Sequence, residues 1–246
     1  MFNFYRHFLD GKPTYLVRHY WWAYLWPKAV WFFDHQPIIN AILFGQYRKL
    51  MHQTLQRLQQ APLDRVLQLT CVYGSLTPNL IRQVHPQALH ITDVAEVQLE
   101  LAASKVEAGK KLISTRMNAE SLGYKTDIFS TVVLFFLLHE MPPQARRNTL
   151  AECMRVIEDG GVLLVTEYGK LPKHHWLYRF VPIRWLTTKL EPFLESFWHE
   201  DVEALLNEVG AAYEKEVSIT SHKDIFSAFY RVTEFRVSTK KGLRRE

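Results

Sequence analysis

The 246-residue chain is long enough to bury one sizeable core, and its 48% hydrophobic and 22% charged residues exclude a disordered or fibrous protein. The formal net charge of +5 at pH 7 indicates an anionic neighbour. Two cysteines, Cys71 and Cys153, exclude a framework of disulfide bridges. No apolar run approaches the roughly 18–20 residues of a membrane-spanning helix, and the first residues lack the apolar core of a signal peptide. We therefore expect a soluble or peripheral protein.

Residues 1–62 are predicted to form a helical extension rich in aromatic side chains. Thirteen aromatic residues fall within the first 33 positions, including Trp21, Trp22, Trp26 and Trp31. Such an extension packs on the core, or lies at the lipid–water boundary that Trp and Tyr favour, or does both.

From residue 63 onward, strand and helix signals alternate. Predicted strands lie at 65–71, 89–93, 112–117, 128–138, 162–167, 213–220 and 226–238. Predicted helices lie at 77–84, 94–108, 142–157 and 202–209. Residues 128–138 are the most apolar run, which is typical of a central parallel strand buried on both faces. Gly160 and Gly161 are expected to cap the C-terminus of the helix at 142–157.

This order predicts an α/β, Rossmann-like fold with a mostly parallel seven-stranded sheet and helices on both faces. The last two strands form an antiparallel C-terminal hairpin, the arrangement of class I methyltransferases that use S-adenosyl-L-methionine (SAM). Residues 150–161 (LAECMRVIEDGG) also resemble the helix and turn common in that superfamily. The predicted domains are a SAM-binding catalytic domain at 63–238, preceded by the extension at 1–62 and followed by a basic tail at 239–246.

In open α/β sheets, ligands bind beyond the carboxyl ends of the strands. Asp93 ends the second strand, where its carboxylate can accept hydrogen bonds from both ribose hydroxyls, or alternatively cap the next helix. Asn118 follows the third strand, and its amide can pair with the adenine edge. The residues predicted to bind the cofactor are Gln68, Thr70, Tyr73, Gly74, Asp93, Val94, Asn118, Ala119 and Phe135.

The loop after the first strand departs from the usual pattern of an acid and three glycines. Gln68 stands in the acid's place, Thr70 and Val72 stand in two glycine places, and Gly74 alone remains. Because glycines let the backbone approach a ligand, we expect these side chains to displace the cofactor's amino-acid tail. The loop indicates a domain that no longer binds SAM, or a site that holds SAM in an unusual pose.

Four groups of residues resemble a known family. They are Cys71-Val72-Tyr73-Gly74, Asp93-Val94-Ala95 with Val97-Gln98-Leu99, Phe135-Phe136-Leu137-Leu138-His139-Glu140, and Leu190-Glu191-Pro192-Phe193 with Trp198-His199-Glu200. Over roughly residues 15–238 the chain resembles the rhodoquinone-biosynthesis proteins called RquA. The resemblance implies conversion of ubiquinone to rhodoquinone, in which an amino group from SAM replaces a ring methoxy group. It also implies assistance by a divalent metal, Mn²⁺. We expect a peripheral position on the cytoplasmic face of a bacterial inner membrane or the matrix face of a mitochondrial one.

This chemistry gives the loop a rationale. A neutral Gln68 does not favour the ammonium form of the SAM amino group, as an acid there would, and only the free amine can attack a quinone carbon. His139 and Glu140, predicted with Tyr73 to be catalytic, suit a divalent metal, and Glu167 is a third predicted ligand. His174, His175 or His199 are candidates to complete the site. Alternatively, His139 lines the pocket or caps the following helix.

A predicted lid insert spans about residues 170–198. Between positions 168 and 190 there is no acidic residue. Its basic and aromatic residues are Lys170, Lys173, Arg179, Arg184 and Lys189 with Trp176, Tyr178, Phe180 and Trp185. The insert is a solvated lid, a nucleic-acid surface or a membrane-facing cap. We expect no nucleic-acid partner, because no binding module is recognisable, and a quinone tail held in an anionic membrane favours the last interpretation.

Two rival functions stay open. One is a conventional SAM-dependent methyltransferase acting on a quinone or another lipophilic acceptor. The other is a methyltransferase-like domain that has lost its cofactor and serves as a membrane scaffold.

Overall fold

The computed structural model describes residues 11–71, 73–107, 109 and 111–240. Val72 of the predicted cofactor loop, Ala108 at the predicted end of a helix and most of the predicted basic tail lie outside the described residues, as does the start of the predicted extension.

Seven strands form one sheet, as predicted. They are β1 (Val66–Leu69), β2 (Leu89–Asp93), β3 (Leu112–Arg116), β4 (Phe129–Phe135), β5 (Ile157–Tyr168), β6 (Lys215–Ile225) and β7 (Tyr230–Thr239). The strand order is β3-β2-β1-β4-β5-β7-β6. Strands β1 to β5 pair in parallel, whereas β7 pairs antiparallel with both β5 and β6. The predicted fold class is therefore confirmed.

Seven helices follow β1 among the described residues. They are α5 (Leu76–Asn79 continuing through a π turn, Leu80–Val84), α6 (Glu96–Ser104), α7 (Pro143–Val156), α8 (Trp176–Arg179), α9 (Val181–Leu190), α10 (Leu194–Trp198) and α11 (Val202–Gly210). Every residue of β4 is buried, because its β-branched and aromatic side chains are covered on both faces. Since the chain crosses from β3 past β1 to β4, the switch in strand order opens a crevice at the carboxyl ends of β1 and β4.

Four helices precede the sheet. They are α1 (a π turn, Leu16–Tyr20, continuing as Trp21–Tyr24), α2 (Pro27–Phe33), α3 (Gln36–Ile42) and α4 (Tyr47–Leu58). Helix α4 belongs to the core: Leu50 and Leu58 are fully buried, and the hydroxyl of Thr54 lies 2.6 Å from that of Thr166 on β5. Helices α1–α3 instead cover the crevice. Among the described residues, every helix is too short or too polar to traverse a bilayer.

The predicted end of the fourth strand changes. The predicted strand at 128–138 ends at Phe135, because Phe136 adopts a left-handed conformation with φ 55°. Leu138–Glu140 then form a 3-10 turn. This turn takes His139 and Glu140 out of the sheet and over the crevice.

The prediction that Gly160 and Gly161 cap α7 is wrong. The helix ends at Val156, Ile157 is already extended, and the glycines lie within a bulge of β5. The last carbonyls of α7 are instead bound by the buried ammonium of Lys215 on β6, which donates to the Met154 carbonyl at 2.8 Å. Lys215 also donates to the Ile157 carbonyl and to Asp127. A long-range cation therefore replaces the local glycine cap, because a positive charge suits the negative end of a helix dipole.

Replacing Lys215 with Met should lower the free energy of unfolding by about 2 kcal/mol, because buried carbonyls at the end of α7 lose their donor. Urea denaturation measures the loss. The matched control is Lys223→Met, on the same strand but exposed, which should change stability by less than about 0.5 kcal/mol. Equal losses in the two variants would show that Lys215 does not cap α7.

Candidate functional site

A cavity lies between the carboxyl ends of β1, β2 and β4 and the roof formed by α1–α3. Its lining is mainly apolar and aromatic. The predicted site residues that line it are Thr70, Tyr73, Asp93, Val94, Asn118, Ala119, Phe135, His139 and Glu140. The structure thus brings together residues from segments far apart in the sequence, at the edge where a doubly wound sheet binds ligands.

Asp93 joins the two loops on the predicted cofactor side. Its Oδ2 accepts a hydrogen bond from the Cys71 backbone N–H at 2.9 Å, and its Oδ1 accepts one from the Ala95 N–H at 2.8 Å. Burial raises the pKa of Asp93 to about 6, although these backbone N–H groups favour the carboxylate. The carboxylate therefore organises the start of α6 and also faces the cavity. Each oxygen keeps acceptor capacity for a ligand hydroxyl.

Asn118 is held in a fixed orientation, since its Oδ1 accepts a hydrogen bond from the Glu120 N–H at 3.0 Å. Its neighbour Ala119 is buried in the cavity wall. The amide lies where a base edge can reach it, and its pairing with adenine stays a prediction.

Gln68 does not line the cavity, contrary to the sequence prediction. It is buried behind the loop, where its Oε1 accepts from the Thr77 hydroxyl at 2.9 Å and its Nε2 donates to the Thr70 carbonyl at 3.2 Å. Thr70 has a φ of 66°, a conformation that normally favours glycine. Gln68 therefore supports a strained turn from behind. It cannot act directly on the charge of a cofactor amine in the cavity.

Gly74 also lies outside the cavity lining. Its N–H donates to Asp34 at 2.7 Å, and its carbonyl accepts from the ammonium of Lys105 at 2.8 Å. Lys105 also forms an ion pair with Asp34. With a φ of 86°, Gly74 lies against the ring of Tyr47, where a Cβ would collide with the phenol. Gly74 is thus required by the packing of α4 against the loop.

Tyr73 lines the cavity, but its hydroxyl faces the roof. The hydroxyl donates to the Ala23 carbonyl of α1, and the ring stacks on Tyr24 with centroids 5.4 Å apart. The position of Tyr73 is therefore tied to that of α1. Its catalytic role stays a prediction.

A buried imidazole lies opposite the predicted cofactor residues. His139 Nδ1 lies 2.7 Å from Glu167 Oε1, the distance of an ion pair. The other oxygen of Glu167 accepts from the Leu138 N–H at 2.9 Å. Glu167 therefore holds both the ring and the turn that carries it. It lies behind the imidazole and outside the cavity lining, so the structure does not place it as the third cavity-facing ligand.

Two other carboxylates face the opposite nitrogen. Glu140 Oε1 and Glu191 Oε2 each lie 3.9 Å from His139 Nε2. Tyr24 donates to Glu140, and Tyr20 donates to Glu191 at 2.9 Å. Because α1 supplies both phenols, the roof helix completes the polar cluster.

The charges in this cluster depend strongly on each other. Burial alone would lower the pKa of His139, but Glu167, Glu191 and Glu140 outweigh burial and raise it to about 9. Burial raises the pKa of Glu140 to about 8, against the favourable charge of His139. It also raises the pKa of Glu191. The cluster thus holds three carboxyl groups against one imidazole, and a metal ion that displaces their protons would balance the resulting negative charge.

The donor set fits a divalent cation. One atom each from His139, Glu140 and Glu191 lies within 4.8 Å of the others. A carboxylate on the far nitrogen of a ligating histidine, as Glu167 is, fixes the ring orientation at many metal sites. Nitrogen and oxygen donors suit Mn²⁺ and similar ions.

Three histidines predicted as candidates to complete a metal site lie outside the cavity lining. His175 caps α8 by accepting from the Leu177 N–H at 3.3 Å and packs against the ring of Phe229. His174 and His199 are exposed. The third acidic partner of His139, which the sequence prediction missed, is Glu191.

Sequence reasoning also missed Tyr20, Tyr24 and Asp34. The two tyrosines are four residues apart, a spacing that places them on one helix face. Glu191 is the first acid after the acid-free segment at 169–190, so a lone acid in that setting was a usable signal. Nothing local indicated that Asp34 would bind the loop at Gly74.

Gly74→Ala should reduce the free energy of unfolding by about 3 kcal/mol, since both backbone strain and the collision with Tyr47 must be relieved. Chemical denaturation provides the measurement. Gly45→Ala is the matched control, because Gly45 has a similar φ of 79° but open space around it. It should cost about 1 kcal/mol from strain alone. Similar losses in both variants would contradict the role assigned to Tyr47.

Comparison with known proteins agrees with this geometry. Residues 66–161 match the model of a methyltransferase domain family. The ubiquinone/menaquinone biosynthesis C-methyltransferase UbiE of Ralstonia nicotianae is 27% identical over 167 residues, which cover 65% of this chain and 68% of that relative. A demethylmenaquinone methyltransferase of Lactiplantibacillus plantarum is 29% identical over 170 residues, with the same coverage of each chain, 65% and 68%.

Solved structures share the fold at low sequence identity. The N-methyltransferase NodS from Bradyrhizobium japonicum has a TM-score of 0.54 at 13% identity, covering 78% of this chain and 96% of NodS. The cyclase SpnF has a TM-score of 0.56 at 17% identity, covering 88% of this chain and 97% of SpnF. The domain match over residues 66–161 and the complete seven-stranded sheet show that the chain has the Rossmann-like fold of methyltransferases.

Proposed function

We propose that the protein binds SAM and a quinone in this cavity and converts ubiquinone to rhodoquinone, with SAM as the amino donor. The observation that carries the proposal is the buried cluster of His139, Glu140 and Glu191, which opens onto an apolar, aromatic cavity beside the predicted cofactor residues. Relatives named as ubiquinone and menaquinone methyltransferases support a quinone ring as the substrate. The resemblance to the RquA family supports amination.

SAM is expected on the side of Asp93 and Asn118. The match to a methyltransferase family supports this ligand, as does the shared fold with NodS, which was solved with S-adenosyl-L-homocysteine. In this pose the Asp93 carboxylate accepts hydrogen bonds from the ribose, and Thr70 and Tyr73 line the space for the amino-acid tail.

A divalent cation, Mn²⁺ in our proposal, would be held by His139 Nε2 and the carboxylates of Glu140 and Glu191. When bound, it would act as a Lewis acid that polarises a quinone carbonyl. Tyr24 and Tyr20 hold the two carboxylates in place, and Glu167 holds the imidazole. Because His139 must lose its proton to ligate a metal, metal binding is expected to release a proton.

The reaction requires the neutral amine of SAM. Desolvation disfavours an ammonium ion, so the apolar lining itself favours the free amine. This rationale replaces the one based on Gln68. Nitrogen would form a bond to the ring carbon that bears the methoxy group, and the methoxy group would leave with the nitrogen's proton as methanol. The bond between nitrogen and the SAM α-carbon would then break by elimination: nitrogen keeps the electron pair and gains the proton that the SAM β-carbon loses, and the remaining SAM skeleton leaves as an α,β-unsaturated acid.

The second candidate is methyl transfer to a ring carbon. The names of the relatives favour it directly, since both are quinone methyltransferases. The same cluster suits it as well, because a carboxylate or imidazole can remove the proton from the methylated carbon as a general base. The two candidates differ in which group of SAM, the amino group or the methyl group, is found in the product.

Isotope labelling decides between them. The purified chain is incubated with ubiquinone, Mn²⁺ and SAM that carries either a nitrogen label in its amino group or a carbon label in its methyl group. Mass analysis should find the nitrogen label in a product that has lost a methoxy group. Incorporation of the methyl label instead would contradict amination and establish methyl transfer.

His139→Gln and Glu191→Gln should each reduce turnover about 100-fold, with a parallel loss of Mn²⁺ affinity measured by calorimetry. Glu195→Gln is the matched control, because this exposed acid lies on α10 only four positions from Glu191. Full activity in the first two variants, or equal losses in all three, would contradict a role for the cluster.

SAM affinity should depend on pH through Asp93. Its pKa of about 6 lies above the usual 3.8, so the carboxylate that accepts from the ribose is present above pH 6 and is lost as the pH falls through that value. Calorimetry from about pH 8 to pH 5 should show weakening affinity. Asp93→Asn should bind SAM about tenfold more weakly with little pH dependence, its folding checked by thermal melting. No binding by the wild-type chain at any pH would instead favour a scaffold.

A further inference from the structure

Large apolar side chains are exposed on two segments. The first segment, α1–α3, exposes Trp21, Trp26, Trp31, Phe32 and Ile42, and the second, α8–α9, exposes Trp176, Phe180, Val181, Trp185, Leu186 and Leu190. Among the described residues, the other exposed large apolar side chains are Ile113 and Ile219. Monomeric proteins rarely leave such concentrations of apolar surface uncovered.

The two segments meet around the mouth of the cavity. Tyr20 of α1 donates to Glu191 directly after α9, and the rings of His19 and Phe193 lie 5.4 Å apart. Ile42 and Leu190, one from each segment, line the cavity and are also 48% and 44% exposed. The rim of the cavity is therefore continuous with the exposed apolar surface.

Helix α9 has no buried residue along its ten positions. Ile183 and Thr187 are half-buried, while Val181, Trp185 and Leu186 face outward. A short helix with so little packing is marginal in water, because helical stability comes mainly from burying an apolar face. Its outward face has the composition of a helix that lies in a lipid–water interface.

The charges around this surface have one sign. Within residues 11–49 the acid is Asp34, which pairs with Lys105, and residues 169–190 contain no acid. Within residues 11–49 and 169–190, the exposed cations are Arg18, Lys28, Arg48, Lys49, Lys170, Lys173, Arg179, Arg184 and Lys189. The Lys189 ammonium lies 4.8 Å from the Trp185 ring centroid, which brings cation and aromatic ring to the same level. Phosphate headgroups above an apolar layer complement this arrangement.

We propose that α1–α3 and α8–α9 form one lipid-binding surface that rests on an anionic bilayer with the cavity mouth towards the lipid. The tryptophans enter the interface and the surrounding cations contact the headgroups. For the substrate this rests on the proposed function: a quinone would reach His139 from the bilayer with its isoprenoid tail still in lipid.

Flotation of the full chain with vesicles tests the surface. We expect binding to phosphatidylcholine vesicles that contain phosphatidylglycerol, much weaker binding to phosphatidylcholine alone, and release at high salt. A chain that fails to float with either vesicle, or that binds both equally at all salt concentrations, overturns the proposal. So does a concentration-dependent dimer in the ultracentrifuge that Trp185→Ser abolishes, because a second copy would then cover the surface.

Variants locate the contact. Trp31→Ser and Trp185→Ser, one on each segment, should each reduce partitioning about tenfold, and Arg184→Glu should reduce it at least fivefold. Ile219→Ser is the matched control, because Ile219 is an exposed apolar residue on β6, outside both segments, and this variant should bind as the wild type does. Wild-type partitioning of Trp31→Ser and Trp185→Ser would overturn the assignment even if the chain floats.

Activity separates this proposal from the proposed function. Trp185→Ser should retain wild-type turnover of a short-tailed, water-soluble quinone and lose it for a long-tailed quinone in vesicles. Equal activity of the wild type and variant on the vesicle substrate would overturn lipid-side entry. A wild-type chain that floats with the vesicles but converts neither quinone would contradict the proposed function and still support the lipid-binding surface.

Discussion

Three carboxyl groups surround the buried imidazole of His139 at the end of β4, and the rest of the site depends on how these polar groups are compensated. Glu167 is stabilised by backbone N–H groups of the turn that it holds, while Glu140 and Glu191 receive phenols from α1. Buried charges without such partners cost several kcal/mol each. The cluster consequently binds the sheet, the roof and the segment after α9 to one another, so that the cavity is built by the same contacts that place its reactive groups.

The cofactor loop shows a second form of compensation. In the usual pattern an acid and several glycines shape this loop, whereas here side chains from elsewhere do so. Gln68 donates a hydrogen bond to the carbonyl of the strained Thr70. The ring of Tyr47 packs against Gly74, whose N–H donates to Asp34. On either side of Val72, the described residues of the loop are therefore held by Gln68 of β1, by Asp34 at the end of α2 and by Tyr47 of α4.

The fold leaves the reaction open, since it is shared by an N-methyltransferase, NodS, and a cyclase, SpnF. This chain combines a polar cluster that fits a divalent cation with an apolar cavity roofed by its own N-terminal helices. Under the proposed amination, the apolar lining would desolvate the amine donor, and a cation held by the cluster would polarise the acceptor. The exposed aromatic surface around its mouth is consistent with a substrate that spends most of its time in lipid.

The order of strands and helices, the carboxyl-end positions of Asp93, Asn118 and His139, and the basic character of the insert follow from the sequence alone. They do so because the spacing of apolar residues and the local composition can be read from residues that are neighbours in the sequence. Only the tertiary structure decided three other features. Lys215 caps α7, Gln68 and Glu167 lie behind the cavity, and the cavity lining includes Glu191, Tyr20 and Tyr24. Each depends on a contact between residues far apart in the chain, whose side chains meet only once the sheet and its roof are packed.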